Sequence, residues 1–93
     1  MYLSFEQIAA ATVKTAADLT IPAEATHAEV CASANDIMYT MDNATNPTTT
    51  MGMILSVFSG IDTFNIEDIK RIRFIQAASG AKLNIHYFAG RNI

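Results

Sequence analysis

Arg71-Ile72-Arg73-Phe74-Ile75-Gln76-Ala77-Ala78-Ser79-Gly80-Ala81-Lys82-Leu83-Asn84-Ile85-His86-Tyr87-Phe88 is the stretch on which the fold turns. Its second half alternates: Leu83, Ile85 and Tyr87 against Lys82, Asn84 and His86. A period of two puts each set on its own side of a strand, so this is a sheet with one buried face. Arg71–Ala77 and Ala81–Phe88 read as two strands joined at Ala78-Ser79-Gly80, a short hairpin-type connection with glycine. Just upstream, Ile69, Ile72 and Phe74 with Lys70, Arg71 and Arg73 fit one helical turn leading into the first strand.

Working outward, Thr63-Phe64-Asn65-Ile66 alternates and Glu67-Asp68 closes it, with a turn before it at Ser59-Gly60. Thr48–Phe58 is rich in β-branched, aliphatic and methionine residues, and Gly52 within it marks a bulge or a close backbone approach. Asp42-Asn43-Ala44-Thr45-Asn46-Pro47 is the strongest loop signal in the chain. Before it, Ile37–Met41 is a short strand with Ile37, Tyr39 and Met41 inward, and Ser33–Asp36 is a turn. In His27–Ala34 the small residues Ala28, Val30 and Ala32 share one face, which suits packing against a second sheet. Asp18-Leu19-Thr20-Ile21-Pro22 reads as a short edge strand ended by proline, followed by a loop to Thr26. Phe5–Lys14 has helical spacing at Phe5, Ile8, Ala9 and Thr12, but Thr12, Val13 and Thr15 are β-branched and no cap stands out. Extended structure is the expectation there. The fold class is therefore all-β: a small antiparallel β-sandwich or barrel of six to eight short strands. One domain covers 1–93, with residues 1–10 as a candidate extended arm.

The chemistry of the residues argues against catalysis. Charged residues are only 16% of the 93, and net charge is −3, which disfavours a nucleic-acid partner. All nine acidic residues lie at or before Asp68, and five of the six basic ones lie between Lys70 and Arg91. That asymmetry suits a solvated basic edge or a basic end that meets an acidic surface. His27, His86 and the single Cys31 do not make a four-ligand zinc site, and Cys31 in a small-residue strand reads as a buried inert thiol. Asp36 and Asp42 are explained by turn chemistry, and Glu67-Asp68 by a turn rather than an acid–base pair. No phosphate-cradling glycine loop is present. No catalytic residue, metal or cofactor is expected. Met1–Glu6 lacks the features of a signal peptide, and no apolar run is long enough for a membrane span, so a soluble cytoplasmic product is the expectation.

Several motifs occur in a set order: Pro22-Ala23-Glu24-Ala25-Thr26-His27-Ala28, then Ile37-Met38-Tyr39-Thr40-Met41-Asp42, Asn46-Pro47-Thr48, Met51-Gly52-Met53, and the closing Ile72–Phe88 stretch. Across most of residues 19–88 the chain resembles a group of roughly hundred-residue proteins common in tailed-phage and prophage structural modules. It departs at Asn43, where glycine usually follows the aspartate; asparagine tolerates the same left-handed backbone. The loop from Asn43 to Asn46 is also longer than usual. The strand–loop piece is similar, too, to accessory β-sandwich modules of chitobiase-type enzymes.

The phage resemblance implies a virion structural role, assembled in the host cytoplasm and carried on the capsid surface. The expectation drawn from it is a capsid decoration (cement) protein that bridges capsomers. Its partners would be the major capsid protein and copies of itself, with a trimer as the guess. Nucleic acid and membrane are not expected partners. The alternatives are a head-fibre base or head–tail joining component and, less favoured, a carbohydrate-binding module. The candidate interface residues are Tyr2, Leu3, Phe5, Lys70, Arg71, Arg73, Phe88 and Arg91. Tyr2–Phe5 is a candidate arm that orders on docking, and Lys70–Arg91 a candidate electrostatic contact with the shell.

Overall fold

The computed structural model describes residues 1–90. Two antiparallel four-stranded sheets face each other. In chain order the strands are β1 (Tyr2–Ala9), β2 (Lys14–Thr15), β3 (Ala25–Ser33), β4 (Ile37–Thr40), β5 (Met53–Leu55), β6 (Asp62–Asn65), β7 (Arg73–Gln76) and β8 (Lys82–Ala89). One short helix, α1 (Ile66–Ile69), precedes β7. The first sheet runs β1-β8-β3-β6 and the second β2-β7-β4-β5. Every consecutive connection except β4–β5 therefore passes from one sheet to the other. The all-β sandwich expected from the sequence is the architecture found, at the upper end of the strand count.

The core lies between the sheets and comes from the alternation already noted. Leu83, Ile85 and Tyr87 of β8 and Ala28, Val30 and Ala32 of β3 point inward from the first sheet. Ile37 of β4, Leu55 of β5 and Phe74 of β7 meet them from the second. Alanines facing larger side chains let the layers interdigitate. Ile66 and Ile69 of α1 close one end, with the Asn65 side chain accepting from the Glu67 N–H as N-cap.

The terminal hairpin is corrected by the structure. β7 and β8 do not pair; they belong to different sheets. Both are interior strands, β7 between β2 and β4 and β8 between β1 and β3, so neither has a free side for the other. The backbone at the connection is also taken. Gln76 N–H donates to the Ala10 carbonyl (2.8 Å), Ala77 N–H to that of Asp36 (2.9 Å), and Ala10 N–H to that of Ala81 (3.1 Å). Residues 77–81 thus form an arch between sheets, and the buried faces of the two strands meet across the core instead of lying side by side.

The Asp18–Pro22 edge strand is likewise not formed. Ala16–Asp18 is a single 3-10 turn, because Asp18 Oδ2 accepts from the Thr15 N–H (2.8 Å) while Thr15 Oγ1 accepts from the Ala17 N–H (3.2 Å). This reciprocal capping gives the backbone a better local alternative than a ladder. Thr48–Phe58 yields only the three-residue β5. Gly52 does mark a close approach: its φ is +137°, and a Cβ there would lie 3.0 Å from the Tyr39 carbonyl oxygen. The 42–47 loop is folded around Asp42, whose Oδ1 accepts from the Ala44 and Thr45 N–H groups (3.0 and 2.8 Å). Asn43 adopts φ +57°, the left-handed conformation glycine would otherwise supply.

Candidate interaction surface

Residues 1–10 do not form a free arm. β1 is the edge strand of the first sheet, paired along its length with β8, and the Met1 amino group donates to the Ala89 carbonyl at 2.8 Å. Its register decides what stands on the outer face. Tyr2 lies opposite Phe88, Phe5 opposite His86, and Gln7 opposite Asn84. On the other side of β8, β3 places His27 opposite Phe88, Glu29 opposite His86, and Cys31 opposite Asn84. Five rings from three strands therefore share one exposed surface.

His86 stands at the centre. The ring of Phe5 meets it edge-on at 5.2 Å, and that of Tyr2 at 5.3 Å. Phe88 lies edge-on to Tyr2 at 6.0 Å and stacks on His27 at 5.2 Å with only 7° between planes. Edge-to-face and offset-stacked contacts of this kind add to what area burial alone supplies. They hold the cluster in place although Tyr2 and Phe5 remain about half exposed, at 53% and 51%. Beside the rings runs a polar chain: Gln7 Nε2 donates to Asn84 Oδ1 (2.8 Å), and Asn84 Nδ2 donates to Ser33 Oγ (3.0 Å). A shallow depression of about 100 Å³ opens next to them, lined by Phe5, Glu29, Cys31, Ile61, Asn84 and His86. The thiol of Cys31 is thus not buried as expected. Its place in the alternation puts it on the outer face, half-buried.

The candidate residues divide. Tyr2, Phe5 and Phe88 come together in this cluster. Leu3 sits in a bulge of β1 and packs partly against the core. Lys70 and Arg71 are exposed beyond α1, Lys70 lying 3.4 Å from Glu67 one turn earlier. Arg73 belongs to the second sheet and is spent on structure. Its guanidinium donates to the carbonyls of Ala44 (3.0 Å) and Asn43 (3.1 Å) and to Asn46 Oδ1 (2.8 Å), pinning the 42–47 loop. Arg91 lies outside the described residues. Arg73 therefore lies in the other sheet from the aromatic cluster and is not part of that surface.

The sequence reading missed two features. His27 and His86 belong to the aromatic cluster; the signal was the alternation of β8, which puts His86 and Phe88 on the polar side of the strand. Further exposed apolar residues, Met53, Ile54 and Phe58, stand on and after β5, Phe58 being 93% exposed, and Ile61 follows at the rim of the depression. Their signal was apolar residues on both sides of the Ser59-Gly60 turn, where polar ones are usual. Among the described residues no three His, Cys, Asp or Glu side chains are grouped to hold a metal ion, and no helix is long and apolar enough to cross a membrane. Compared with known proteins, the chain matches no family model, no curated protein and no solved structure.

Proposed function

We propose that this protein is a structural module of a tailed-phage particle, a head decoration protein that works by adhesion. The observation that carries the reading is the five-ring cluster on the outer face of the first sheet. Solvent-facing sheet surfaces are normally polar, whereas this one concentrates aromatic residues of the kind that anchor protein interfaces. The sequence resemblance supplies the particle, and the major capsid protein is the partner it supports. The decorating molecule would lay this face across a capsomer boundary and add contact area there. Its binding would depend on Tyr2, Phe5 and Phe88 rather than on Arg73, which is already engaged.

Co-sedimentation of purified protein with undecorated phage heads tests this. Saturation at hundreds of copies per head is expected, with at least a tenfold loss for Phe88→Ser. Saturation at a dozen or fewer copies supports the head–tail joining or head-fibre alternative. Failure of the folded protein to bind heads sinks the decoration reading. Carbohydrate binding is a second reading, favoured by the half-exposed Tyr2 and Phe5 rings beside the Gln7 and Asn84 amides. Rings and amides are what a sugar's apolar face and hydroxyls require. Glycan binding that disappears in Phe5→Ala would establish it.

A further inference from the structure

Each sheet of the sandwich has two edges, and one of the four differs from the rest. β2, β5 and β6 are two, three and four residues long, while β1 has eight. Short edge strands, lysine, proline and inward charges are the usual devices that keep an edge from pairing with another chain. β1 contains neither lysine nor proline. Its single charge, Glu6, is turned inward to accept from the Tyr87 hydroxyl (2.6 Å) and the Thr20 N–H (2.8 Å). A bulge at Leu3 is the one protective device, and it affects only the N-terminal end.

The direction of the main-chain groups follows from the end of the ladder. Ala10 donates to the Ala81 carbonyl, so by antiparallel alternation Ser4, Glu6 and Ile8 turn their N–H and C=O groups toward β8. Phe5, Gln7 and Ala9 turn theirs to the open side. Among the described residues no hydrogen bond is made to those groups of Phe5 or Gln7.

We infer that β1 pairs antiparallel with β1 of a second copy, about a two-fold axis at Phe5, joining the two first sheets into one continuous eight-stranded sheet. The open edge is the same in both copies, so it complements itself about a two-fold axis, and side-chain charge favours this register. With the axis at Phe5 the two Phe5 rings meet on the outer face and Ser4 lies opposite Glu6, and the regular pairing ends at the Leu3 bulge. The two aromatic clusters then become continuous. An axis at Glu6 would oppose two carboxylates, a like-charge pair that disfavours pairing. The contact comprises a strip of main chain and the half-exposed rings of Tyr2 and Phe5, at or below the lower end of the range for specific interfaces, about 1,200 Å² in total. Association is accordingly reversible and concentration-dependent, and it closes at two copies because it consumes the one long edge. It stands on the edge itself and does not rest on what the aromatic face binds.

Sedimentation equilibrium from micromolar to millimolar protein tests the pairing, with amide hydrogen exchange on the same samples. The mass should rise from 10.1 kDa toward twice that value. Phe5→Lys should weaken association at least tenfold, and Phe58→Ser, after β5, should leave it unchanged. The Phe5 amide of the unmodified protein should gain protection as the dimer fills, while those of Ser4, Glu6 and Ile8 are protected throughout. This exchange measurement decides the matter if Phe5→Lys does not fold. A monomer across the range overturns the inference, as does closure at three copies. So does a dimer whose Phe5 amide still exchanges freely, or one lost in Phe58→Ser. None of these results depends on phage heads, so this pairing and the decoration reading can fail separately.

Discussion

The phenol of Tyr87 donates to Glu6 Oε2 at 2.6 Å, tying an interior strand of the first sheet to its edge strand beneath the aromatic cluster. Tyr87 is fully buried, and the bond gives its hydroxyl the partner that burial demands.

Removing that hydroxyl in Tyr87→Phe should cost about 1.5–3 kcal/mol, the usual worth of a hydrogen bond to a charged group. For a domain of this size that lowers Tm by roughly 10 °C, readable by calorimetry. Burial, then the bond to and the charge of Glu6, push the Tyr87 phenol well above its ordinary value of 10.0. The folded state thus holds a proton that the unfolded chain gives up. This contribution is fully present below about pH 10 and is lost as pH rises beyond it. Tyrosinate absorbance from Tyr87 should emerge only with unfolding.

Asp42 organises its loop in the ionised form. The hydroxyl of Thr45 and then the N–H groups of Thr45 and Ala44 lower its carboxyl to about 2. Because the folded value lies below the unfolded one, the benefit is complete above about pH 4 and falls away as pH drops toward 2. NMR titration of the Asp42 carboxyl should show this. Asp42→Ala should raise exchange at the Ala44 and Thr45 amides while leaving that of Ile85 unchanged.

Gly52→Ala should destabilise the protein by about 1–3 kcal/mol, the range for a strained backbone position. The new Cβ meets the Tyr39 carbonyl oxygen at 3.0 Å, and φ is +137°. Urea unfolding checks this; a midpoint equal to that of the unmodified protein would refute the close approach.

Phe74→Ala removes the largest fully buried side chain of the second sheet. The expected loss is about 3–5 kcal/mol, against a total stability of about 5–15 for a domain like this one. The variant should melt at least 15 °C lower or fail to fold. By contrast, Cys31 should react with a thiol reagent in the native protein, which a core thiol would not do.

β8, β3 and β4 were legible in the sequence because each has one buried face, and burial writes a period of two into the residues. Neighbours were not legible. Alternation says which way Leu83 and Phe74 point but not whether their strands lie side by side or across the core, and the Ala78-Ser79-Gly80 turn fits either. Asp18–Pro22 failed for a local reason, the Thr15–Asp18 cap. The interaction surface was legible as residue types, with Tyr2, Phe5 and Phe88 named. Their meeting was not, since it depends on the β1–β8 register between positions more than eighty residues apart. Arg73 looked like a surface cation because nothing in the sequence reveals that three oxygens from Asn43, Ala44 and Asn46 converge on it.

The pairing of Tyr2 with Phe88 also sets an order of events at synthesis. β8 is an interior strand of the first sheet, flanked by β1 and β3, yet among the described residues it comes last in the chain. Until Ala89 has left the exit tunnel, β1 and β3 have no strand between them, and their apolar faces wait uncovered. Closing so many distant pairings is slow as well. The first sheet is therefore completed by insertion of β8 between β1 and β3, and its two halves become one layer in a single late step.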